Sequence, residues 1–199
     1  MGCPIKQELY NIWIFAFDKC YCVLYNSELM EQSIIQIYTL KGESLMPEVK
    51  FYDNIDDSML EFAVIISRSQ GKYVFCKHRE RNTYEIPGGR REEGESIFET
   101  ANRELKEETG ALIYDIKPVC VYSVTGKTRV NKTGEESFGM LYYAEIEKFS
   151  DMPDSEIERI ELFDEIPAEQ TYPLIQPKLI EELNRREKMM IQKEQKNND

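Results

Sequence analysis

Histidine is almost missing from this chain: His78 is the only one in 199 residues. A metal centre built on several histidines is therefore excluded. Cysteine is scarce too, and its count of five is odd. Cys20-x-Cys22 is not a zinc spacing, and the five positions form no disulfide framework. Cys76 and His78 read as neighbours at a strand end, in a structural role. Long apolar runs are lacking: no stretch of eighteen apolar residues occurs, so no membrane span is expected. The first residues lack the basic stretch and cleavage site of a secretory signal. Together with the cysteine usage, this predicts a reducing, cytoplasmic setting. Positive charge is in deficit, with 25 Lys and Arg against 37 Asp and Glu and a net charge of −12. A general nucleic-acid-binding surface would be basic. A phosphate substrate is still allowed, because local Arg, Lys and metal can offset the global field.

What is present suits one domain with extra length. The apolar fraction of 41% is enough for a real core. Residues 61–67 are apolar and β-branched and predict a buried strand. Ser69-Gln70-Gly71-Lys72 predicts a turn, and the alternation from Lys72 to Lys77 completes a hairpin. Thr83 to Ile86 reads as a short strand stopped by Pro87, with Gly88-Gly89 free to take backbone angles other residues resist. A helix follows over Glu95–Thr109, closed by Gly110 at its C-terminal cap. Its apolar face is Ile97, Phe98, Ala101 and Leu105. Residues 112–124, 137–147 and 158–163 are strand-like. Thr125 to Ser137 reads as a mobile loop. A second helix spans roughly 177–194, with Leu179, Ile180, Leu183 and later Met190 facing the core, and the polar tail from Gln192 to Asp199 should fray. No internal repeat is visible. Strands, a helix, more strands and a final helix predict an α+β or α/β/α sandwich.

The chemistry lies in Gly88-Gly89-Arg90-Arg91-Glu92-Glu93-Gly94-Glu95 and, eight residues on, Arg103-Glu104-Leu105-Lys106-Glu107-Glu108-Thr109-Gly110. On a helix, Glu104, Glu107 and Glu108 stand at i, i+3 and i+4, on one face. Three carboxylates so close repel one another, and a helix gains nothing from that unless something positive sits between them. Mg²⁺ prefers carboxylate oxygens, keeps several waters and bridges phosphate oxygens. Glu108 falls within about 20° of Ala101 around the helix, so the acids stand at the rim of the core, where charge interactions strengthen. Taken alone, Glu104-x-x-Glu107-Glu108 reads first as an ordinary solvated face with an Arg103–Glu107 pair. Arg103 reads as an organiser of Glu95 and Glu107.

The whole constellation is more specific. Gly89, five residues, Glu95, seven residues, then Arg103-Glu104-Leu105-x-Glu107-Glu108-x-Gly110 resembles the signature of the Nudix hydrolase superfamily, of the MutT-like kind. Every charged and glycine position is filled. The last position departs, holding Ala111 where a bulky aliphatic residue is usual. The resemblance covers about residues 47–190. It implies a mixed sheet between helices, with the signature as a loop–helix–loop. It further implies hydrolysis of a pyrophosphate bond in a nucleoside diphosphate-linked substrate. The foremost case is a nucleoside triphosphate, including an oxidised one of the 8-oxo-dGTP kind. RNA 5′-end pyrophosphohydrolysis and a non-catalytic nucleotide-sensing module are the alternatives. An isomerase on this fold would need several histidines.

By the resemblance, Glu107 and Glu108 are the principal metal ligands, Glu104 is a ligand or the base that orients water, and the Gly88 carbonyl completes the shell around Mg²⁺ or Mn²⁺. Gly89, Glu95, Arg103 and Gly110 are structural parts of the motif. Some members take their base from outside the signature. Glu145 is the first choice here, with Glu156 and Glu158 the others. Arg79, Arg81 and Arg90 are candidate phosphate partners or ordinary surface charge. Arg79 and Arg81 would share a strand face if that segment is extended. Tyr84, Phe138 and Tyr143 are aromatic at strand spacing, which is core more often than base contact. A small nucleotide is the expected partner, and the apolar strands allow a homodimer.

Residues 1–45 differ. They hold three of the five cysteines and the only tryptophan, Trp13. Ile12 to Phe17 is an uncharged β-prone run. Lys41-Gly42-Glu43 can be encoded as AAA-GGA-GAA, which looks like a bacterial ribosome-binding site, with Ser44-Leu45 as spacer. One reading is therefore a translation start at Met46, with 1–45 an extension. The other is a genuine family-specific hairpin. The catalytic domain is expected over 46–190, followed by the tail 191–199.

Overall fold

The structure is a computed structural model, and it describes residues 10–16, 19–25, 47–128, 131–151 and 155–197. The chain divides into two units, 1–46 and 47–199. In the first, β1 (Tyr10–Ala16) pairs antiparallel with β2 (Lys19–Tyr25), Trp13 lying opposite Cys22 in the register. The apolar run of the sequence thus falls largely in β1. The candidate start at Met46 and the residues encoding its upstream signal lie outside the described residues.

The second unit carries a mixed sheet. Its strands are β3 (Glu48–Tyr52), β4 (Leu60–Ser69), β5 (Lys72–His78), β6 (Tyr84–Glu85), β7 (Gly88–Arg90), β8 (Ala111–Thr125), β9 (Ser137–Phe149) and β10 (Ile157–Phe163). The order is β10-β5-β4-β9-β8-β3, with β6 on β5 and β7 on β4. Among the described strand pairs, only the central β4–β9 pair is parallel; the others are antiparallel.

Two helices close the layers: α1 (Ile97–Thr109) and α2 (Gln176–Asn197). Strand β4 shows why there are two cores. Its side chains alternate between faces, so Ala63 and Ile65 join Ala101, Leu105 and Ile146 in one cluster. Ile66 joins Phe75, Leu141, Leu179, Ile180 and Leu183 in the other. A central strand buried on both faces reads as a near-continuous apolar run, which is what residues 61–67 are. The α/β/α sandwich expected from the sequence is the fold observed.

Three local readings are corrected. The first helix begins at Ile97, not Glu95. Ser96 caps it, its Oγ accepting from the Glu99 N–H while Glu99 accepts from the Ser96 N–H, a reciprocal box that defines the start. Phe98 and Met190, expected on the apolar faces of the two helices, are exposed. The polar tail is helical through Asn197 rather than frayed from Gln192. Gly110 closes α1 as expected, at φ 70°, its N–H donating to the Lys106 carbonyl.

Candidate active site

The site starts with two glycines, and the reason for them is not the one the sequence suggests. Neither Gly88 nor Gly89 has positive φ. Instead they form β7, paired antiparallel with β4, Gly88 opposite Val64 and Gly89 opposite Ala63. What they provide is space. A Cβ on Gly88 would sit 2.5 Å from the Ala63 carbonyl oxygen and 2.9 Å from Val64 Cα. A Cβ on Gly89 would occupy the place of the Glu104 carboxylate. Gly89 is thus the floor on which Glu104 rests.

The register also aims the Gly88 peptide groups. Ile65 N–H donates to the Pro87 carbonyl and Arg91 N–H to the Glu61 carbonyl, at 2.8 Å each. Hydrogen-bonded and non-bonded pairs alternate along an antiparallel ladder. The Gly88–Val64 pair is therefore non-bonded, and both the N–H and the C=O of Gly88 face away from β4. The Gly88 N–H meets Glu108 Oε2 at 2.8 Å.

Helix α1 delivers the acids to this strand. Arg103 binds three of them. Its Nε and Nη2 hold Glu95 at 2.7 and 3.1 Å. Its Nη1 holds Glu104 at 2.8 Å and Glu107 at 3.2 Å. Nη2 also donates to the Arg90 carbonyl, tying helix to strand. Glu95 lies outside the helix and accepts further from the Glu92 N–H and the Thr100 hydroxyl. These bonds, with the Arg103 guanidinium first, lower its pKa to about 2. Arg103 contacts Glu95 and Glu107, the two acids it was expected to organise, and Glu104 is a third partner that was not foreseen.

The other acids are less compensated. Burial raises the Glu104 carboxyl above its ordinary range despite the Arg103 bond, and Glu107 and Glu156 push in the same direction. Glu108 is buried, and burial lifts its carboxyl well above the ordinary range, against the pull of the Gly88 N–H. Glu107 is the outward member, its side chain 55% exposed against 12% for Glu104. Two more acids stand near. Glu85 is buried and held by Arg81 Nη1 at 2.9 and 3.1 Å, and Glu156 lines the same cavity.

That cavity, about 460 Å³, opens beside Gly88, Gly89 and Glu108. Its size suits a small-molecule ligand. Arg81 and Arg90 both line it. Arg90 pairs with Glu61 at 3.0 Å and stacks 4.9 Å over the Phe62 ring. Arg79 does not line the cavity; its N–H donates to the Glu156 carbonyl. Arg79 and Glu80 form a turn after β5, so the shared strand face expected for Arg79 and Arg81 does not form.

Of the three candidate bases, only Glu156 reaches the cavity. Glu145 lies on β9 opposite Arg68, five residues along the sheet from the Ala63–Met140 pair, or roughly 16 Å. It accepts from the Tyr143 hydroxyl at 2.6 Å. Glu158 is exposed on β10, in an ion pair with Lys77. Tyr84, Phe138 and Tyr143 are also outside the cavity lining. His78 is buried, its Nδ1 accepting from the Glu80 N–H, and Cys76 is a buried free thiol. The structural reading of that pair fits these contacts.

Sequence reasoning missed Glu85, Tyr122 and Gln176 as lining residues. The only signal was position. Glu85 lies two residues before Pro87, and Gln176 directly precedes Pro177 at the start of a helix.

Among the described residues, no three His, Cys, Asp or Glu side chains already converge on a point that could hold a metal ion. Arg103 engages Glu104 and Glu107, and the Gly88 N–H engages Glu108. The donor set is nevertheless one of hard oxygens, three carboxylates and an outward-facing carbonyl. It fits Mg²⁺ or Mn²⁺ and no soft metal.

A mixed sheet between helices, carrying such a loop–helix–loop, is the Nudix fold. The chain belongs to the NUDIX domain family, whose model matches residues 57–183. YtkD of Bacillus subtilis (strain 168), provisionally named as an 8-oxo-dGTP diphosphatase, is 38% identical over 104 residues. The match covers 52% of this chain and 61% of YtkD, so the chain spans less than two thirds of that relative's length. The crystal structure of a mutant of the Bacillus subtilis pyrophosphohydrolase BsRppH is similar at a TM-score of 0.58 and 28% identity, covering 70% of this chain and 90% of that one. A NUDIX hydrolase from Nitrosomonas europaea shares the fold at a TM-score of 0.50 and 20% identity, over 70% and 88% of the two chains.

Proposed function

We propose that this chain is a divalent-metal-dependent pyrophosphohydrolase acting on a nucleoside diphosphate-linked substrate. A nucleoside triphosphate is the first candidate, including an oxidised one of the 8-oxo-dGTP kind. The observation that carries the reading is the meeting of Glu104 and Glu108 with the Gly88–Gly89 strand beside the 460 Å³ cavity, Glu107 being held to the same cluster by Arg103. The name of YtkD supports the substrate class, and that of BsRppH supports the bond broken. The same likeness to a pyrophosphohydrolase keeps a triphosphorylated RNA end as the second reading.

Glu104, Glu107, Glu108 and the Gly88 carbonyl would hold Mg²⁺, with Mn²⁺ as substitute, and the metal would screen phosphate charge and lower the pKa of a bound water. The protein's own part is positional. Arg103 holds Glu104 and Glu107 ready on one face and anchors α1 to β7 through the Arg90 carbonyl. Glu156, the one of the three candidate bases that lines the cavity, takes the place of Glu145 as the candidate to accept a proton from the attacking water. Arg81 and Arg90 are the candidate phosphate partners. Glu85 holds Arg81 in place on the wall. A cytoplasmic nucleotide pool suits such an enzyme, and among the described residues no helix is long and apolar enough to cross a membrane. The homodimer allowed by the apolar strands gains no support among the described residues.

Phosphate release should be measured over nucleoside triphosphates, dinucleotides, ADP-ribose and triphosphorylated RNA, with Mg²⁺, with Mn²⁺ and with chelator. Turnover of at least one substrate, lost with chelator and with Glu107→Gln, is the expected result. Binding without turnover would make the chain a nucleotide sensor. Turnover indifferent to Glu107→Gln would remove the site assignment.

A further inference from the structure

The turn after β5 touches two residues given roles in hydrolysis, Arg81 and Glu156. His78 ends β5, and residues 78–81 form a tight turn closed by the Arg81 N–H on the His78 carbonyl at 3.2 Å. The two N–H groups between are also engaged. Arg79 donates to the Glu156 carbonyl at 2.9 Å, and Glu80 donates to His78 Nδ1 at 3.1 Å. Three consecutive amides thus tie the strand end to itself and to Glu156. The His78 ring here makes a contact that other residues usually make. The first position of such a turn favours Asp or Asn, whose side chain accepts from the N–H two residues on. His78 stands at that position and accepts through Nδ1. It is buried, so water does not readily replace the acceptor it supplies.

Glu156 depends on this turn more than a place beside a sheet suggests. It lies just before β10, and the pairing of β10 with β5 shifts register between Ile157 and Arg159. A break of that kind disrupts the ladder locally and re-aims the side chains beside it. Ile157, opposite His78, is the last ladder residue before Glu156. Beyond it the Arg79 N–H holds the Glu156 carbonyl. Arg81 has a further hold, since its Nη1 grips the Glu85 carboxylate at 2.9 and 3.1 Å. Opening the turn should therefore displace Glu156 more than Arg81.

Resting on the reading of Glu156 as acceptor of the water's proton, we propose that His78 is a positioning residue for Glu156. His78 does not line the cavity. Its Nδ1 fixes the Glu80 N–H, that bond sets the turn, and the turn presents the Arg79 N–H to the Glu156 carbonyl. The Glu156 side chain then starts from a fixed point at the cavity wall. A general base must lie within hydrogen-bond reach of the proton it takes. A misplacement of about 1 Å can cost on the order of 10²-fold in rate, so a turn well outside the cavity still bears on turnover.

Two readouts on the whole chain test this. His78→Leu keeps an apolar filling and removes the acceptor, while His78→Asn puts a carbonyl oxygen at the equivalent atom. In amide hydrogen exchange, His78→Leu should speed Arg79, Glu80 and Arg81 by about tenfold or more and leave β4 and β9 unchanged. His78→Asn should return the three amides to near the wild-type rate. The second readout is Mg²⁺-dependent hydrolysis of whichever of dATP, dGTP and 8-oxo-dGTP turns over fastest. His78→Leu should lower kcat by about tenfold to 10²-fold with little change in KM, because Arg81 keeps Glu85. His78→Asn should restore kcat. Glu156→Gln should cost about 10²-fold or more. Adding His78→Leu to it should cost less than about twofold further, since both changes disable one group. Unchanged exchange at Arg79, equal losses with Leu and Asn, or a full His78→Leu loss in the Glu156→Gln background would overturn the proposal. The reading beneath it fails differently. Turnover indifferent to Glu156→Gln removes the base and the proposal together. Turnover lost with Glu156→Gln but kept with His78→Leu removes the proposal alone.

Discussion

Both helices carry a cluster of glutamates and arginines, and the two clusters are built on opposite charge balances. On α2, Glu182 is one acid between two bases, its Oε1 2.6 Å from Arg185 and 2.7 Å from Arg186. Arg186 also reaches Asp53 at 3.0 Å. The Arg185 and Arg186 guanidiniums hold the Glu182 carboxyl below its ordinary range. On α1, Arg103 is one base among Glu95, Glu104 and Glu107, and Glu108 meets the Gly88 N–H and no cation among the described residues. There, burial holds Glu104 and Glu108 above their ordinary range. A balanced buried pair is complete in itself. A surplus of acids at a cavity is complete only when a cation arrives, since unpaired buried charge is costly. The α2 cluster therefore reads as a clamp, and the α1 cluster as the place the proposed metal would occupy.

Substitutions should separate the two. Glu108→Gln keeps an acceptor for the Gly88 N–H but removes a metal ligand. Turnover should fall on the order of 10³-fold, while the metal-free protein melts no lower than wild type. Unchanged turnover would erase the distinction. Gly88→Ala and Gly89→Ala sharpen it from the strand side. The first meets backbone that cannot move aside, so it should destabilise by about 2–4 kcal/mol in denaturant unfolding. The second meets only the end of the Glu104 side chain. It should cost turnover roughly 10²-fold and little stability. Equal stability losses would show that the two glycines do the same thing.

Glu182→Gln should do the converse of Glu108→Gln. Two partly exposed arginines lose their partner, so stability should drop by about 1–2 kcal/mol with turnover kept. The smallest effect is in pH. A carboxyl whose native pKa is raised binds its proton more tightly folded than unfolded. Glu104 and Glu108 therefore contribute most at low pH, and that contribution is lost as pH rises through their raised native values. Glu95, lowered to about 2, works the other way, contributing above the ordinary carboxylate pKa and losing that only as pH falls toward 2. Stabilisation by Mg²⁺ in thermal melts should thus grow from acid to neutral pH. A flat Mg²⁺ effect would count against metal binding at Glu104 and Glu108.

Much of this was legible beforehand because it depends on local spacing. The run 61–67 reads as a buried strand from its apolar, β-branched residues alone. Glu108 had to sit near Ala101 because a helix repeats every 3.6 residues. Gly110 ends α1 where a left-handed residue is needed. The errors arose where the answer depends on distant chain. Gly88 and Gly89 look like a turn and are a strand, because β4 was there to pair with them. Glu145 looks like an acid on a suitable strand, but parallel pairing with β4 carries it five residues beyond the cluster. Glu156 could be preferred over it only once β10 was laid against β5.

The sequence by itself determined the class of protein, the acids and their common helical face. These follow from residue types at fixed spacings along one short element, where geometry leaves no choice. The tertiary structure alone decided which arginine holds which acid, why two glycines are needed, and which side chains share a cavity. Those depend on contacts between segments far apart in the chain, such as those carrying Val64 and Gln176, and no local pattern encodes them.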